Sequence, residues 1–347
     1  MVGASRGAAI VKKRKTLDDV AHLANVSPIT VSRALRAPEV VSPELRQRIE
    51  AAVEKLAYVP NLAASRLASA RTHSVGVIVP TLYNVIFADY LRALHEVFLD
   101  SGFQVVVVNS RYSASEEEKA VRTLLGQRVE AIVIVGVNHT PMTRRLLRQA
   151  RIPVVETFEL SDEPIDVNIG LSHREAARDA TRFLLGLGHR QVGFLMGQND
   201  IRATARLEGY RAAMAEADID CETLVFTQAQ PSTISLGSAI VEDAFARHGM
   251  PEALFCIDDH LAFGAMMKCR NLGISVPEQI SIMGFHDLEF AGFASPPLTT
   301  LATARFEIGK MAAETVLAQI RGKKSTAPKR IDMGYRIVER GSTARKK

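Results

Sequence analysis

Thr16-Leu17-Asp18-Asp19-Val20-Ala21-His22-Leu23-Ala24-Asn25-Val26-Ser27-Pro28-Ile29-Thr30-Val31-Ser32-Arg33-Ala34-Leu35 reads as two short helices around a tight turn. Thr16 with Asp19 three residues on is close to a capping box, which satisfies two orphan amides at a helix start. Leu17, Val20, Ala21 and Ala24 recur on one helical face. Asn25 tolerates the left-handed backbone that a tight turn needs. Ser27-Pro28 is an N-cap followed by proline at the first helical position. Val31, Ala34 and Leu35 then face inward, which leaves Pro28, Ile29, Thr30, Ser32 and Arg33 outside. Small polar groups and an arginine at a helix N-terminus suit entry into the major groove of DNA. A plain helical hairpin has no need of that exposed face.

Outward from this pair, Ser42-Pro43 repeats the start signal, and Leu45, Ile49, Val53 and Leu56 give a third amphipathic helix. Residues 58–72 read as a linker with one short helical stretch, Leu62 to Ser69, too small to fold alone. Toward the N-terminus, Lys12-Lys13-Arg14-Lys15 makes a basic tail. The whole 347-residue chain carries only +5, so the positive charge gathered over residues 12–73 points to a polyanionic partner at that end.

From Val75 the pattern changes. Apolar runs at Val75–Val79, Phe103–Val108, Ala131–Val135 and Pro153–Glu156 alternate with helical segments. A second set follows at Val192–Met196, Thr223–Phe226, Ala253–Ile257 and Ile280–Phe285. Thr140-Pro141 and Ser172 mark helix starts between runs. Continuous apolar strands separated by helices predict parallel, doubly wound sheets. Two sets predict two lobes with a ligand cleft at their switch-point edges. A last helix, about Arg305 to Arg321, has to return to one of them.

The first motif closely resembles the helix-turn-helix of the lactose/galactose repressor (LacI) family. The resemblance continues through Val41-Ser42-Pro43, Leu56-Ala57-Tyr58-Val59-Pro60-Asn61 and Ala64-Ser65-Arg66-Leu67. In the core, Pro80-Thr81-Leu82 with Phe87-Ala88, Ala205-Arg206-Leu207-Glu208-Gly209-Tyr210, Asp258-Asp259-His260-Leu261-Ala262-Phe263-Gly264-Ala265 and Pro297-Leu298-Thr299-Thr300 also fit. It implies an all-α helix-turn-helix DNA-binding domain plus an α/β core of two doubly wound lobes, periplasmic-binding-protein-like. The expected division is a flexible basic tail at 1–15, the helix-turn-helix at 16–59, a hinge-helix linker at 60–72 and an effector-binding and dimerisation core at 73–340. Within the core the N-lobe covers about 73–171 and 303–330, and the C-lobe about 172–302.

The resemblance also implies roles. The expected DNA contacts are Thr16, Ser27, Pro28, Ile29, Thr30, Ser32 and Arg33, with Asn61, Ser65 and Leu67 in the linker. Pro28 and Ile29 fall at the main base-reading positions, and Leu67 at the hinge leucine that wedges into the minor groove. Phe87 lines the cleft, and Arg206 is the arginine that grips ligand, as its planar fork grips carboxylate or hydroxyl pairs. Asp258 stands where many members carry an Asn that contacts ligand hydroxyls, with Asp259 expected as the helix cap. One departure is informative. After Ile280–Phe285 the family usually places an Asp, but here stands His286, which tolerates or attracts an anion that Asp repels. Gly284-Phe285-His286 and Asn138-His139-Thr140-Pro141 resemble the gluconate-operon repressor branch. Arg111 and Tyr112 add a cation and a hydroxyl. Phe87, Arg111, His139, Arg206, Asp258 and His286 are therefore the expected contacts for a sugar acid such as gluconate or 2-ketogluconate. A neutral sugar on the same scaffold is the alternative.

Other classes fit poorly. Gly186-Leu187-Gly188-His189-Arg190-Gln191-Val192-Gly193 lacks dinucleotide spacing, and no P-loop or nucleophile elbow occurs. Cys221, Cys256 and Cys269 have no metal-ligand spacing and read as buried thiols in a reducing compartment. No cofactor and no metal are expected, and no enzyme. A periplasmic solute-binding protein needs a signal peptide, and no apolar run near the N-terminus suits one. The expected protein is cytoplasmic and makes no membrane contact. It binds palindromic double-stranded operator DNA as a homodimer, because one helix-turn-helix reads too few base pairs.

Overall fold

The computed structural model describes residues 15–59, 71–197, 200–322 and 329–346. The chain divides into two compact units after Thr72. Asn61, Ser65, Leu67 and the short helix expected around them lie outside the described residues.

The first unit holds helices α1 (Leu17–Leu23), α2 (Pro28–Arg36) and α3 (Pro43–Leu56). Thr16 and Asp19 form the full reciprocal capping box, with backbone–side-chain distances of 2.7 and 3.3 Å. Asn25 makes the turn at φ 50°. Ser27 caps α2 by accepting from the Thr30 amide at 3.2 Å. Ser42 precedes α3 without a side-chain cap bond, so the pre-set φ of Pro43 is what remains of that start signal. Val20, Ala21, Ala24, Val31, Ala34, Ile49, Ala52 and Tyr58 close a separate small core.

The second unit contains two six-stranded sheets. The N-lobe sheet uses β1 (Ser74–Val79), β2 (Gln104–Asn109), β3 (Ala131–Val135), β4 (Val154–Glu159), β5 (Val167–Leu171) and β11 (Arg330–Asp332), in the order β11-β5-β4-β3-β1-β2. The C-lobe sheet uses β6 (Val192–Met196), β7 (Val225–Thr227), β8 (Ala253–Cys256), β9 (Ser281–His286), β10 (Thr299–Thr303) and β12 (Tyr335–Val338), in the order β12-β10-β9-β8-β6-β7. All pairs are parallel except β10 with β12. Order reverses beside β1 in one lobe and beside β6 in the other, and crevices form beyond the carboxyl ends of strands at such points.

The helices that matter to the cleft are α4 (Ile86–Asp100), α5 (Ala114–Gly126), α6 (Pro141–Ala150), α7 (His173–Gly186), α8 (Ile201–Glu216), α9 (Ile234–His248), α10 (Asp259–Asn271) and α11 (Arg305–Ile320). The last returns to the N-lobe and packs on α4. Gly309 permits that approach, since a Cβ there would meet the Tyr90 carbonyl at 2.5 Å. The core runs on past residue 340. Ser342 Oγ donates to the Ile282 carbonyl at 2.6 Å and accepts from the Thr299 amide at 2.8 Å. His189 Nε2 meets the Ala344 carbonyl at 3.0 Å.

Candidate functional site

On α2 the exposed side is built by the pattern that buries Val31 and Ala34. Ile29 is 72 % exposed, with Pro28 and Arg33 also outside and Thr30 and Ser32 half-buried. The Ser27 and Thr30 hydroxyls bond each other at 2.8 Å, which fixes the helix start. Thr16 is likewise exposed but engaged in its capping box. An exposed isoleucine beside proline offers apolar contact of the kind that a thymine methyl accepts. Arg33 offers a long cation for a phosphate. Backbone contacts position and base contacts specify. Arg33→Ala is therefore expected to weaken binding to every sequence and to reduce the salt slope by about one ion. Replacing Pro28 and Ile29 together is expected to change the preferred operator, by about 1–3 kcal/mol per base contact. Selection of operator variants against each mutant checks both, and an unchanged preference after the double replacement counts against the pair as readers.

Between the lobes of the second unit lies a cleft of about 1220 Å³. Phe87, Arg111, Arg206, Asp258 and His286 line it, so the structure brings five of the six expected contacts together. His139 is not among the lining residues. It is buried in the N-lobe between α5 and β4, with Nδ1 2.8 Å from the Glu117 carboxylate and Nε2 3.4 Å from that of Glu156. Burial opposes its charging, but the two carboxylates outweigh burial and hold its pKa up to about 9. Arg144 adds a second cation 3.9 Å from Glu156. His139 thus belongs to a buried ion cluster, which the loop sequence alone does not reveal.

Arg206 is 5 % exposed and makes every bond to an uncharged acceptor. Nη1 donates to the Ile257 carbonyl. Nε and Nη2 donate to His173 Nδ1 at 3.3 and 3.2 Å, and Nη2 also reaches His286 Nε2 at 3.1 Å. The guanidinium lies 3.9 Å over the Phe285 ring. Burial pulls its pKa down to about 10. Arginine has no acceptor, so the ring nitrogens that face it carry no proton. His286 then holds its proton on Nδ1, 3.1 Å from Thr303 Oγ1. Both imidazoles are neutral: burial first, then the Arg206 charge, pushes their pKa values well below the ordinary histidine range. His286 therefore brings no charge of its own to the cleft.

Asp258 lines the cleft as expected, but the helix cap expected of Asp259 falls to Asp258 as well. Asp258 is the cap of α10, accepting from the Leu261 amide at 2.9 Å while it lines the cleft. Asp259 is buried and holds the next loop, accepting from the Leu288 amide at 2.7 Å and from Thr300 Oγ1 at 2.6 Å. Burial pushes its carboxyl up to about 7. His286 and Asp287 both have positive φ, 108° and 55°, a costly geometry for side-chain-bearing residues. Arg305, the first residue of α11, donates to both their carbonyls and reaches the Asp89 carboxylate on α4 at 3.3 Å. Arg340 holds Asp287 at 2.7 Å.

Two cleft residues escaped sequence reasoning. Arg202 sits one helical turn before Arg206 on α8, and the i, i+4 spacing was a usable signal. It pairs with Asp200 at 2.8 Å and Glu159 at 3.6 Å, and reaches the rings of Phe87 and Tyr112 at 5.7 Å each. His173 follows the expected cap Ser172, but its place against Arg206 depends on the packing of α7 on α8. Among the described residues no cluster of His, Cys, Asp and Glu could hold a metal ion, and no helix is long and apolar enough to cross a membrane.

A helix-turn-helix unit joined to a two-lobed small-molecule sensor defines a ligand-responsive DNA-binding transcription regulator. Residues 16–61 match the family described as bacterial regulatory proteins, lacI family, and residues 181–343 a periplasmic binding protein-like domain. The HTH-type transcriptional regulator GntR of Escherichia coli K12 is 34 % identical over 331 residues, 95 % of this chain and 99 % of that one. A Lacl family transcriptional regulator from Silicibacter pomeroyi superposes with a TM-score of 0.89 at 32 % identity, covering 95 % of this chain and 100 % of that one. The lac repressor dimer bound to operator and the anti-inducer ONPF gives 0.80 at 26 % identity, over 96 % and 100 %. The chain belongs to the lacI family of bacterial regulatory proteins.

Proposed function

We propose that the regulator binds palindromic operator DNA as a homodimer and that a sugar acid in the cleft sets its operator affinity, with gluconate and 2-ketogluconate as the leading candidates. The carrying observation is Arg206: a buried guanidinium at the cleft wall with no carboxylate in ion-pair contact among the described residues. A buried cation without a counter-charge is costly, and a ligand carboxylate relieves that cost. The neighbouring Arg202 is already neutralised by Asp200 and Glu159, so the unspent charge is that of Arg206. Asn84, Asn109 and Ser235, also on the wall, suit a chain of hydroxyls, and Asp258 can accept from the far end. The similarity to the operator-bound lac repressor dimer supports the homodimer and the operator. On this reading the DNA contacts are Thr16, Ser27, Pro28, Ile29, Thr30, Ser32 and Arg33, and by linkage the operator alters effector affinity by the same factor as the effector alters operator affinity.

Calorimetry of the full chain with gluconate, 2-ketogluconate and glucose tests the effector. Binding of at least one acid with glucose weaker is expected. Tight glucose binding while both acids fail would sink the sugar-acid reading and favour the neutral-sugar alternative.

A further inference from the structure

We infer that His173 is a charge-selecting residue of the cleft: with His286 it holds the Arg206 guanidinium through uncharged acceptors, so that the counter-charge is left for the ligand to supply. The inference rests on the sugar-acid reading above. His173 is 4 % exposed and stands at the first position of α7, behind its Ser172 cap. Its Nδ1 takes two of the Arg206 N–H groups, so its proton sits on Nε2. The ring lies beside Phe285, 6.1 Å between centroids. His173 touches no other charged group at hydrogen-bond distance, so it acts on the ligand through Arg206 and is a positioning residue.

The choice of imidazole is informative. A carboxylate at the place of Nδ1 would orient the same guanidinium by a charge-assisted bond and would cancel its charge. The cleft would then offer no net attraction to an acid. A neutral ring gives the orientation and leaves the charge unspent. The charged groups that act on His173 are Arg206 and Arg202 on α8, while Asp200, Asp258 and Glu159 act on Arg206, and Arg305 acts on His286. Burial and the arginines keep the ring unprotonated, while the Phe158 carbonyl pulls weakly the other way. Protonation of Nδ1 would also set an N–H against two N–H donors. An aldonate is ionised throughout the neutral range, because an ordinary carboxyl titrates near pH ~4.

The test compares wild type, His173→Asp and His173→Asn by calorimetry with gluconate and glucose, with wild type also measured from pH 6 to pH 8. Asn places an amide oxygen where Nδ1 stood and is expected to keep gluconate affinity within a few-fold. Asp is expected to lower it about a hundredfold, the order of one charge-assisted bond, and to weaken glucose binding by far less. Wild-type gluconate affinity is expected to stay flat with pH. Gluconate binding in His173→Asp within threefold of wild type overturns the inference. Wild-type affinity that falls tenfold per pH unit above about 6.5 also overturns it, because the imidazolium would then be the charge being read. That second measurement needs no variant to fold. Equal loss in Asn and Asp reduces His173 to packing and overturns it too. A wild type that binds glucose and neither acid instead overturns the sugar-acid reading, and the inference falls with it.

Discussion

Arg206→Ala is expected to abolish the effector response and leave operator binding intact. The side chain supplies the cleft with a planar fork and, among the described residues, with the buried cation on its wall that has no carboxylate ion pair. One N–H of the five stays free for a ligand carboxylate, and one charge-assisted bond is worth roughly 1.5–3 kcal/mol, so the expected loss is about ten- to a hundredfold in affinity. The residue belongs to the second unit, and the helix-turn-helix keeps its own core of Val20, Val31 and Ile49. Operator affinity without effector should therefore match wild type. Titration of an operator complex with gluconate, followed by anisotropy, separates the two effects. A variant that still responds at wild-type concentrations would remove Arg206 from the site.

A chain that begins at His73 is expected to fold, to bind effector and to lose operator affinity by a factor of about a thousand or more, the usual ratio of specific to non-specific binding. The two large cores lie wholly beyond His73, and the small helical core lies wholly before it. The exposed Pro28 and Ile29, proposed as readers, and the basic run at Lys12–Lys15 leave together. A gel shift at two salt concentrations checks the loss, and a thermal melt with effector checks the core. Undiminished operator binding would place the DNA-reading surface elsewhere.

Much of the fold was legible because local rules and tertiary structure agreed. Thr16 with Asp19, Asn25 and Ser27-Pro28 each act through neighbours within a few residues, and the structure uses all of them. The eight apolar runs lie on β1–β4 and β6–β9; six of these strands are buried throughout and largely apolar on both faces, while β2 and β7 are part-exposed sheet edges. The strands that stayed hidden break that rule. β5 carries Asn168 and Gly170, β10 is Thr-Thr-Leu-Ala-Thr, and β11 and β12 are sheet edges. At the cleft, Arg206, Phe87 and Asp258 were found by resemblance to family motifs. His173 and the displaced role of His139 were not, since each is defined by a partner many residues away, Arg206 or Glu156, whereas Arg202 had its i, i+4 spacing to Arg206 as a local signal.

The threading of α11 and β11 through the N-lobe has a consequence for synthesis. The ribosome completes the three-helix unit once Tyr58 has emerged, and all eight residues of its core are then in hand. The N-lobe, begun next, waits for Arg305–Ile320 and Arg330–Asp332, which follow the whole C-lobe sequence. Until then the face of α4 that carries Tyr90 and Ala93 has no helix to cover it. At about 5–20 residues per second the delay lasts many seconds, a period in which exposed apolar surface invites chaperones. A message cut short anywhere between residues 171 and 305 yields a finished DNA reader attached to two unfinished lobes. Such a product carries no working gate and is a substrate for proteolysis, so the cell meets the regulator as a ligand-responsive molecule only when translation is nearly done.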